Sequence, residues 1–359
     1  MDESHEIRVM FVTNSPSGGG AERATNILVN ALHEKKVKVA LTTINHSEPD
    51  LVIPTCETFP INRTWQGGPI SVLSAFFRFR KIVKFWEPSH IVFECDLPEF
   101  FGSFINGNFT RIVVLQSSKP WITRLKFGTF VRKRLRNQKT KWVAVSDHFN
   151  VWCFNSQPDV VISNPIVLSD LEALTQSQID NSINRIFYIG RLSEEKQPDW
   201  VLDIAQQCNL PLVVIGDGNL RKQLEQRAID FGIQASFTGF ISQPWELLTP
   251  GDLLVVPSQY EGDGLVIVEA IARRIPIILN DIPDLRRFDL PDKHYCLNVA
   301  HFESTIREFS DSISNLVVSE ENTNKILLDR NPNEIAKKWI SLLSNTLNGE
   351  ENLKEFHAR

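Results

Sequence analysis

Short apolar runs, polar turns and segments with apolar residues at helical spacing alternate along this chain. Arg8–Thr13 (RVMFVT) reads as a buried strand, Asn14–Gly20 as a loop, and Ala21, Ala24, Ile27, Leu28 and Leu32 then mark one face of a helix. Val37–Thr43, His90–Phe93, Arg111–Leu115 and Lys141–Val145 read as further strands, and Ser71–Trp86 as a helix. Residues 45–70 are turn-rich and predict no element. The alternation resumes at Ile186–Ile189, Leu212–Ile215, Ser236–Gly239, Leu253–Val256 and Ile275–Leu279. A helix begins at Leu265 and stops at Pro276; others are expected over Ile306–Val317 and Asn333–Leu347. Strand, glycine loop and helix in succession are the opening of a Rossmann-like α/β unit.

Length and composition narrow this to a globular chain. The 359 residues are 42% hydrophobic and 23% charged, which suggests about two domains. The N-terminal MDESHEI lacks the basic-then-apolar layout of a signal peptide, and no apolar run approaches the roughly 20 residues of a membrane span. Cys56, Cys95, Cys153, Cys208 and Cys296 are scattered without a C-x-x-C pair, so neither a disulfide framework nor a zinc site is expected. These features predict a reducing, cytoplasmic location.

Charge changes the picture. The net charge of −5 combines a basic first half with an acidic second half. Between Gly102 and Ser146 there are Lys and Arg but no Asp or Glu, and Arg124, Lys126, Arg132, Lys133, Arg134 and Arg136 share an expected helix with Trp121, Leu125, Phe130, Val131 and Leu135. A basic segment over 111–141 with bulky apolar residues suits an anionic membrane surface, although a surface helix packed on a core reads the same way. Nucleic acid is not expected, since no zinc-finger, helix-turn-helix or RNP-type pattern is present.

The candidate chemistry lies in Leu253–Leu279 (LLVVPSQYEGDGLVIVEAIARRIPIIL), a strand, a glycine turn, a helix and a strand. The turn brings unpaired backbone N–H groups and a positive helix end to one point, a natural seat for phosphate. Glu261 in the turn and Glu269 in the helix make sense there as acceptors for sugar and ribose hydroxyls. The pattern S-Q-Y-E-G-x-G-L-x-x-x-E-A, with seven residues between Glu261 and Glu269, resembles the signature of retaining GT-B glycosyltransferases of the family-4 type, the glycosyl transferases group 1.

That resemblance implies a GT-B fold, with two Rossmann-like domains facing across a cleft and a C-terminal helix crossing back to the first. Val160–Pro165 (VVISNP) resembles the interdomain linker, giving domains 1–165 and 166–332 and a returning helix in 333–359. Gly190-Arg191, with Lys196 five residues on, resembles the family's diphosphate clamp, and two cations suit a leaving group of growing negative charge. The implied catalytic residues are Arg191, Lys196 and Glu261. Donor binding would fall to Gly19 and Gly20 of the first loop and to Gly190, Gly216, Phe240, Ile241, Gly262, Asp263, Gly264, Leu265 and Glu269. Two positions depart from the family: Ser117 stands where many relatives carry histidine, and Asp263 where they often carry Phe.

The implied function is retaining, metal-independent transfer of a sugar from a UDP-linked donor to a hydroxyl of a cell-surface glycan or lipid-linked acceptor, with no cofactor. The alternatives are a UDP-sugar 2-epimerase and an inactive GT-B scaffold that binds a membrane or a partner. The intact Arg191, Lys196, Glu261 and Glu269 disfavour the scaffold.

Overall fold

In the computed structural model the described residues are 6–16, 19–46, 52–64, 67–117, 121, 124–149, 151, 154–167 and 182–357, with side chains described to 346. The chain divides into two compact units, one formed by Met1–Val167 with Asp329–Arg359 and the other by Leu168–Leu328.

The first unit runs β1 (Arg8–Thr13), α1 (Gly20–Glu34), β2 (Lys38–Asn45), β3 (Glu57–Arg63), α2 (Pro69–Trp86), β4 (His90–Glu94), α3 (Asp96–Phe104), β5 (Thr110–Leu115), α4 (Leu125–Asn137), β6 (Lys141–Ala144) and β7 (Val160–Val161). The seven strands order as β3-β2-β1-β4-β5-β6-β7, and their pairings are parallel. β1, β4 and β5 are almost wholly buried. That is why their sequences are continuous apolar runs, as a parallel sheet covered on both faces requires. β3 lies in the stretch that predicted no element: Glu57, Thr58 and Pro60 are exposed at the sheet edge, so the strand carries little apolar signal. α2 starts two residues earlier than expected, at Pro69, whose fixed φ suits the first helical position.

The second unit runs β8 (Arg185–Ile189), α5 (Pro198–Cys208), β9 (Leu212–Ile215), α6 (Arg221–Asp230), β10 (Ala235–Gly239), β11 (Asp252–Val256), α7 (Leu265–Ala272), β12 (Ile277–Asn280), α8 (Pro283–Arg286), β13 (Tyr295–Cys296), α9 (Val299–Glu308) and α10 (Glu320–Leu328). Its six strands order as β10-β9-β8-β11-β12-β13, and their pairings are again parallel. The helix expected over Ile306–Val317 is corrected: α9 spans Val299–Glu308, with the Asn298 side chain accepting from His301 N–H, and Ile313–Leu316 is a single 3-10 turn. The N-cap hydrogen bond fixes the start that apolar spacing alone missed. Residues 168–181, rich in Ser, Gln and Asp, lie outside the described residues.

α11 (Pro332–His357) belongs to the first unit. Ile335, Ala336, Trp339 and Leu343 repeat at helical spacing and are buried in that unit's core, with the Trp339 ring 5.5 Å from Phe11. Each large apolar side chain so buried contributes about 1.5–3 kcal/mol. Among the described residues no helix is long and apolar enough to cross a membrane, and Cys56, Cys95, Cys208 and Cys296 are free thiols.

Candidate active site

In each unit the strand order reverses once, between β1 and β4 and between β8 and β11. The C-terminal ends of neighbouring strands diverge there and open a crevice, the usual ligand position in open α/β sheets.

In the second unit the loops after β8 and β11 meet at that point. Lys196 Nζ lies 2.6 Å from Glu261 Oε1, and Ser258 Oγ donates to the same oxygen over 2.8 Å. Gln259 N–H donates to the Glu195 carbonyl (2.9 Å) and Glu261 N–H to Asp284 Oδ2 (3.0 Å), which pins the 257–264 turn on both sides. Glu261 is buried, whereas Lys196 is partly and Arg191 openly exposed. In so buried an ion pair the cost of desolvation offsets much of the attraction, so its net contribution to stability is small. Its effect is to orient the ammonium at the strand ends while Glu261 Oε2 remains for a hydroxyl.

The glycines serve different ends. Gly264 adopts a left-handed φ of 61° and ends the turn, and α7 follows from Leu265. Gly216 is obligatory for a second reason: with φ 134°, a Cβ there would lie 1.9 Å from the Gly190 carbonyl oxygen. Gly190 N–H donates to Ile215 O and Gly216 N–H to Gly239 O, so the ends of β8, β9 and β10 are stitched together at glycines. Phe240 follows, exposed, and then Ile241, half-buried. Gly262 and Leu265 are half-buried around the turn.

Glu269 accepts from Trp245 Nε1 over 2.7 Å, and Arg273 lies 5.0 Å over the Trp245 ring. Asp263 is buried against Arg287, 3.1 Å away, and Arg287 also donates to the Asp263 carbonyl. Arg287 thus occupies both the carboxylate and the carbonyl of Asp263. Trp245, Asp284 and Arg287 contact these residues, and the sequence did not single them out. A tryptophan just before β11 and a Pro-Asp after β12 were the available signals.

In the first unit, Gly19 is extended and caps α1 by accepting from Arg23 N–H, while Gly20 is exposed. A Cβ at Gly19 would meet only the tip of Glu22, so local packing does not demand glycine. Ser117 is half-buried beyond β5. The residue at the reversal is Glu94, fully enclosed at the end of β4, 2.5 Å from Thr25 Oγ1 and 3.5 Å from Gln116 Nε2. Burial pushes its carboxyl up to about 8. Burial likewise raises Asp96 to about 6 and lowers His90 to about 4.

The basic segment is not the uniform surface its composition predicts. Arg132 is buried in an ion pair with Glu99 at 2.6 Å, Arg111 donates inward to the Ile105 and Gly102 carbonyls, and Arg134 donates to Ser103 O. α4 begins at Leu125, and Trp121 stands before it, buried and donating to Glu99 Oε2. Three of the cations thus satisfy internal acceptors: Arg132 the buried Glu99 carboxylate, Arg111 and Arg134 main-chain carbonyls. Among the described residues no group of three or more His, Cys, Asp and Glu is placed to hold a metal.

Comparison with known proteins places this geometry in a class. The fold is that of GT-B glycosyltransferases: sucrose-phosphate synthase from Thermosynechococcus elongatus superposes with a TM-score of 0.76 at 16% identity, covering 96% of this chain and all of that one. HepE of Anabaena, solved with UDP and glucose, superposes with a TM-score of 0.73 at 16% identity over 95% of this chain and 100% of its own. Residues 171–288 match the family described as "Glycosyl transferases group 1". An alpha-1,4-N-acetyl-D-galactosaminyltransferase of Campylobacter jejuni, named for a diNAcBac-PP-undecaprenol-linked glycan, is 25% identical over 95% of this chain and 99% of its own. The chain spans less than half the length of several other curated relatives it matches. These findings support a GT-B glycosyltransferase.

Proposed function

We propose that the protein is a retaining glycosyltransferase that moves a sugar from a nucleotide sugar, UDP-linked, to a hydroxyl of a cell-surface glycan or lipid-linked acceptor. The observation that carries this reading is the meeting of Lys196, Glu261 and the Gly264–Leu265 turn at the β8/β11 reversal, with Glu269 one and a half turns along α7. As the glycosidic C–O bond breaks, negative charge grows on the diphosphate. Arg191, Lys196 and the N–H groups at the start of α7 meet that charge in the transition state, which is where stabilisation raises the rate. Cations and N–H groups in this number make a divalent metal unnecessary.

Glu261 holds hydroxyls of the transferred sugar through Oε2, and Glu269 holds the ribose, with Trp245 fixing its carboxylate. Phe240 and Ile241 flank the base, and Gly190 and Gly216 let main chain approach the nucleotide. Gly19 and Gly20 form the corresponding loop of the first unit. The UDP carried by HepE and the undecaprenol-linked glycan in the Campylobacter enzyme's name favour this donor and acceptor class. The setting is cytoplasmic and peripheral, on the inner face of the cell membrane, where an anionic leaflet is the partner of the basic first unit.

Incubation with a panel of nucleotide sugars, with free UDP as the readout, tests the donor. NMR of the new anomeric centre tests retention. Slow UDP release from one UDP-sugar is expected. Sugar interconversion without release points to an epimerase, and the absence of both returns the chain to a scaffold.

A further inference from the structure

The helices α2, α3 and α4 form a layer whose outer side carries aliphatic and aromatic side chains that no described element covers. On α2, Ala75, Phe79, Val83 and Trp86 face the core, and the opposite stripe carries Ile70, Leu73 and Phe77, which are 85%, 56% and 50% exposed. Phe76 joins that stripe to α3, its ring 6.1 Å from Phe77 and 5.5 Å from Phe101. From Phe101 the contacts continue through Phe100 to Phe104 and Phe127, and from Phe104 to Phe130. Phe127 and Phe130 on α4 are 41% and 51% exposed.

The exposed charges of α2 and α4 share one sign, and α3 adds the half-buried Asp96 at its first position. The exposed charged residues of α2 are Arg78, Arg80, Lys81 and Lys84, and those of α4 are Lys126, Lys133, Arg134 and Arg136. The α3 carboxylate nearest to α4, Glu99, is buried against Arg132. Wide apolar exposure within cationic side chains requires an occupant that is both anionic and oily. A second copy of the face would meet it with like charge, which disfavours association.

We propose that this α2–α3–α4 face is the surface by which the protein seats itself on an anionic lipid leaflet. Ile70, Leu73, Phe77, Phe127 and Phe130 enter the interface, and Lys81, Lys84, Lys126 and Lys133 lie at the headgroups. The inference deepens the membrane part of the proposed function, and it relocates the contact. The 111–141 segment supplies only half of the face, and its Arg132 cannot reach lipid. Because apolar insertion adds to charge attraction, binding weakens in salt without vanishing.

Co-sedimentation with vesicles of phosphatidylcholine alone, or mixed with phosphatidylglycerol, tests this at low and high salt. Wild type should pellet with the mixed vesicles, and part of it should stay bound at high salt. The triple variant Leu73→Ser, Phe77→Ser, Phe130→Ser should lose the salt-resistant fraction. Changing Lys81, Lys84, Lys126 and Lys133 to Gln should remove the preference for anionic lipid, each neutralised lysine lowering affinity about fivefold. The substituted positions are exposed, so melting temperatures should stay near wild type, and UDP release from the nucleotide-sugar panel should not change. Wild type that fails to pellet overturns the proposal, as does a serine variant that binds like wild type. A wild-type dimer that the serine variant dissolves, seen by sedimentation velocity, overturns it in favour of a second copy. Vesicle binding without UDP release, by contrast, would sink the transferase reading and leave the surface standing.

Discussion

The reversal points of the two sheets have the same topology and opposite chemistry. At β8/β11 the polar groups are charged and partly open, with Lys196 on Glu261 and Arg191 in solvent. At β1/β4 the carboxyl of Glu94 is enclosed by Thr25, Gln116 and apolar neighbours, and burial holds it protonated near neutral pH. Parallel order creates a crevice in both units, but side chains decide whether it meets a charged ligand. Under the proposed function the second unit offers its strand ends to an anion, whereas the first closes around a neutral group.

The sharpest way to break this contrast is to remove the cations of the second unit. Lys196→Ala or Arg191→Ala should lower kcat by roughly 10²-fold or more, because they face charge that grows as the bond breaks. Thermal stability should change little in Arg191→Ala, whose side chain is exposed, and fall in Lys196→Ala, which leaves the buried Glu261 without its cation. Wild-type turnover in either variant would take that cation out of the site.

A smaller effect separates the carboxylates of that unit. Glu269→Ala should weaken UDP binding about tenfold or more, the cost of losing hydrogen bonds to a charged acceptor. Ribose contacts persist from ground state to transition state, so KM should rise more than kcat falls. Glu261→Ala should instead lower turnover and blur donor-sugar discrimination while UDP still binds. Calorimetry with UDP beside steady-state kinetics distinguishes the two, and an equal loss of UDP affinity in both would erase the division of roles.

How far such contrasts could be read in advance depended on where the information lies. Buried parallel strands announce themselves as apolar runs, and the glycine turn with Glu261 and Glu269 sits in one contiguous stretch, so that half of the site was legible. Edge strand β3 was not, because an exposed edge needs few apolar residues. Arg132 looked like surface charge, since the buried partner that claims it, Glu99, lies 33 residues away. Glu94 was visible only as a residue after a strand. Its enclosure depends on Thr25 from α1 and Gln116 beyond β5, and no local pattern encodes that meeting.

Glu94 yields the smallest effect and the cleanest sign. Thr25 Oγ1 lies 3.0 Å from the Ala21 carbonyl and 2.5 Å from Glu94 Oε2, yet its one hydroxyl hydrogen cannot serve both. A protonated Glu94 resolves this by donating to Thr25, which then donates to Ala21. The carboxyl is raised to about 8, chiefly by burial, with Glu22 adding to the rise and the hydrogen bond from Gln116 opposing it. Unfolded, it would titrate near the ordinary 4.5. The folded state therefore holds an extra proton between those values, and stability must fall as pH rises through that window. Asp96, raised to about 6, acts in the same sense below that pH, and His90, lowered to about 4, opposes it up to its ordinary 6.5. From about pH 6.5 to 8 Glu94 is the main contributor among these three. Glu94→Gln keeps a donor for Thr25 and removes the titration, so the variant should match wild type at and below about pH 4.5 and gain stability over it as pH rises from there toward 8. Urea unfolding of both proteins at several pH values measures the difference directly, and a gap that stays constant with pH would mean that Glu94 is ionised in the folded chain.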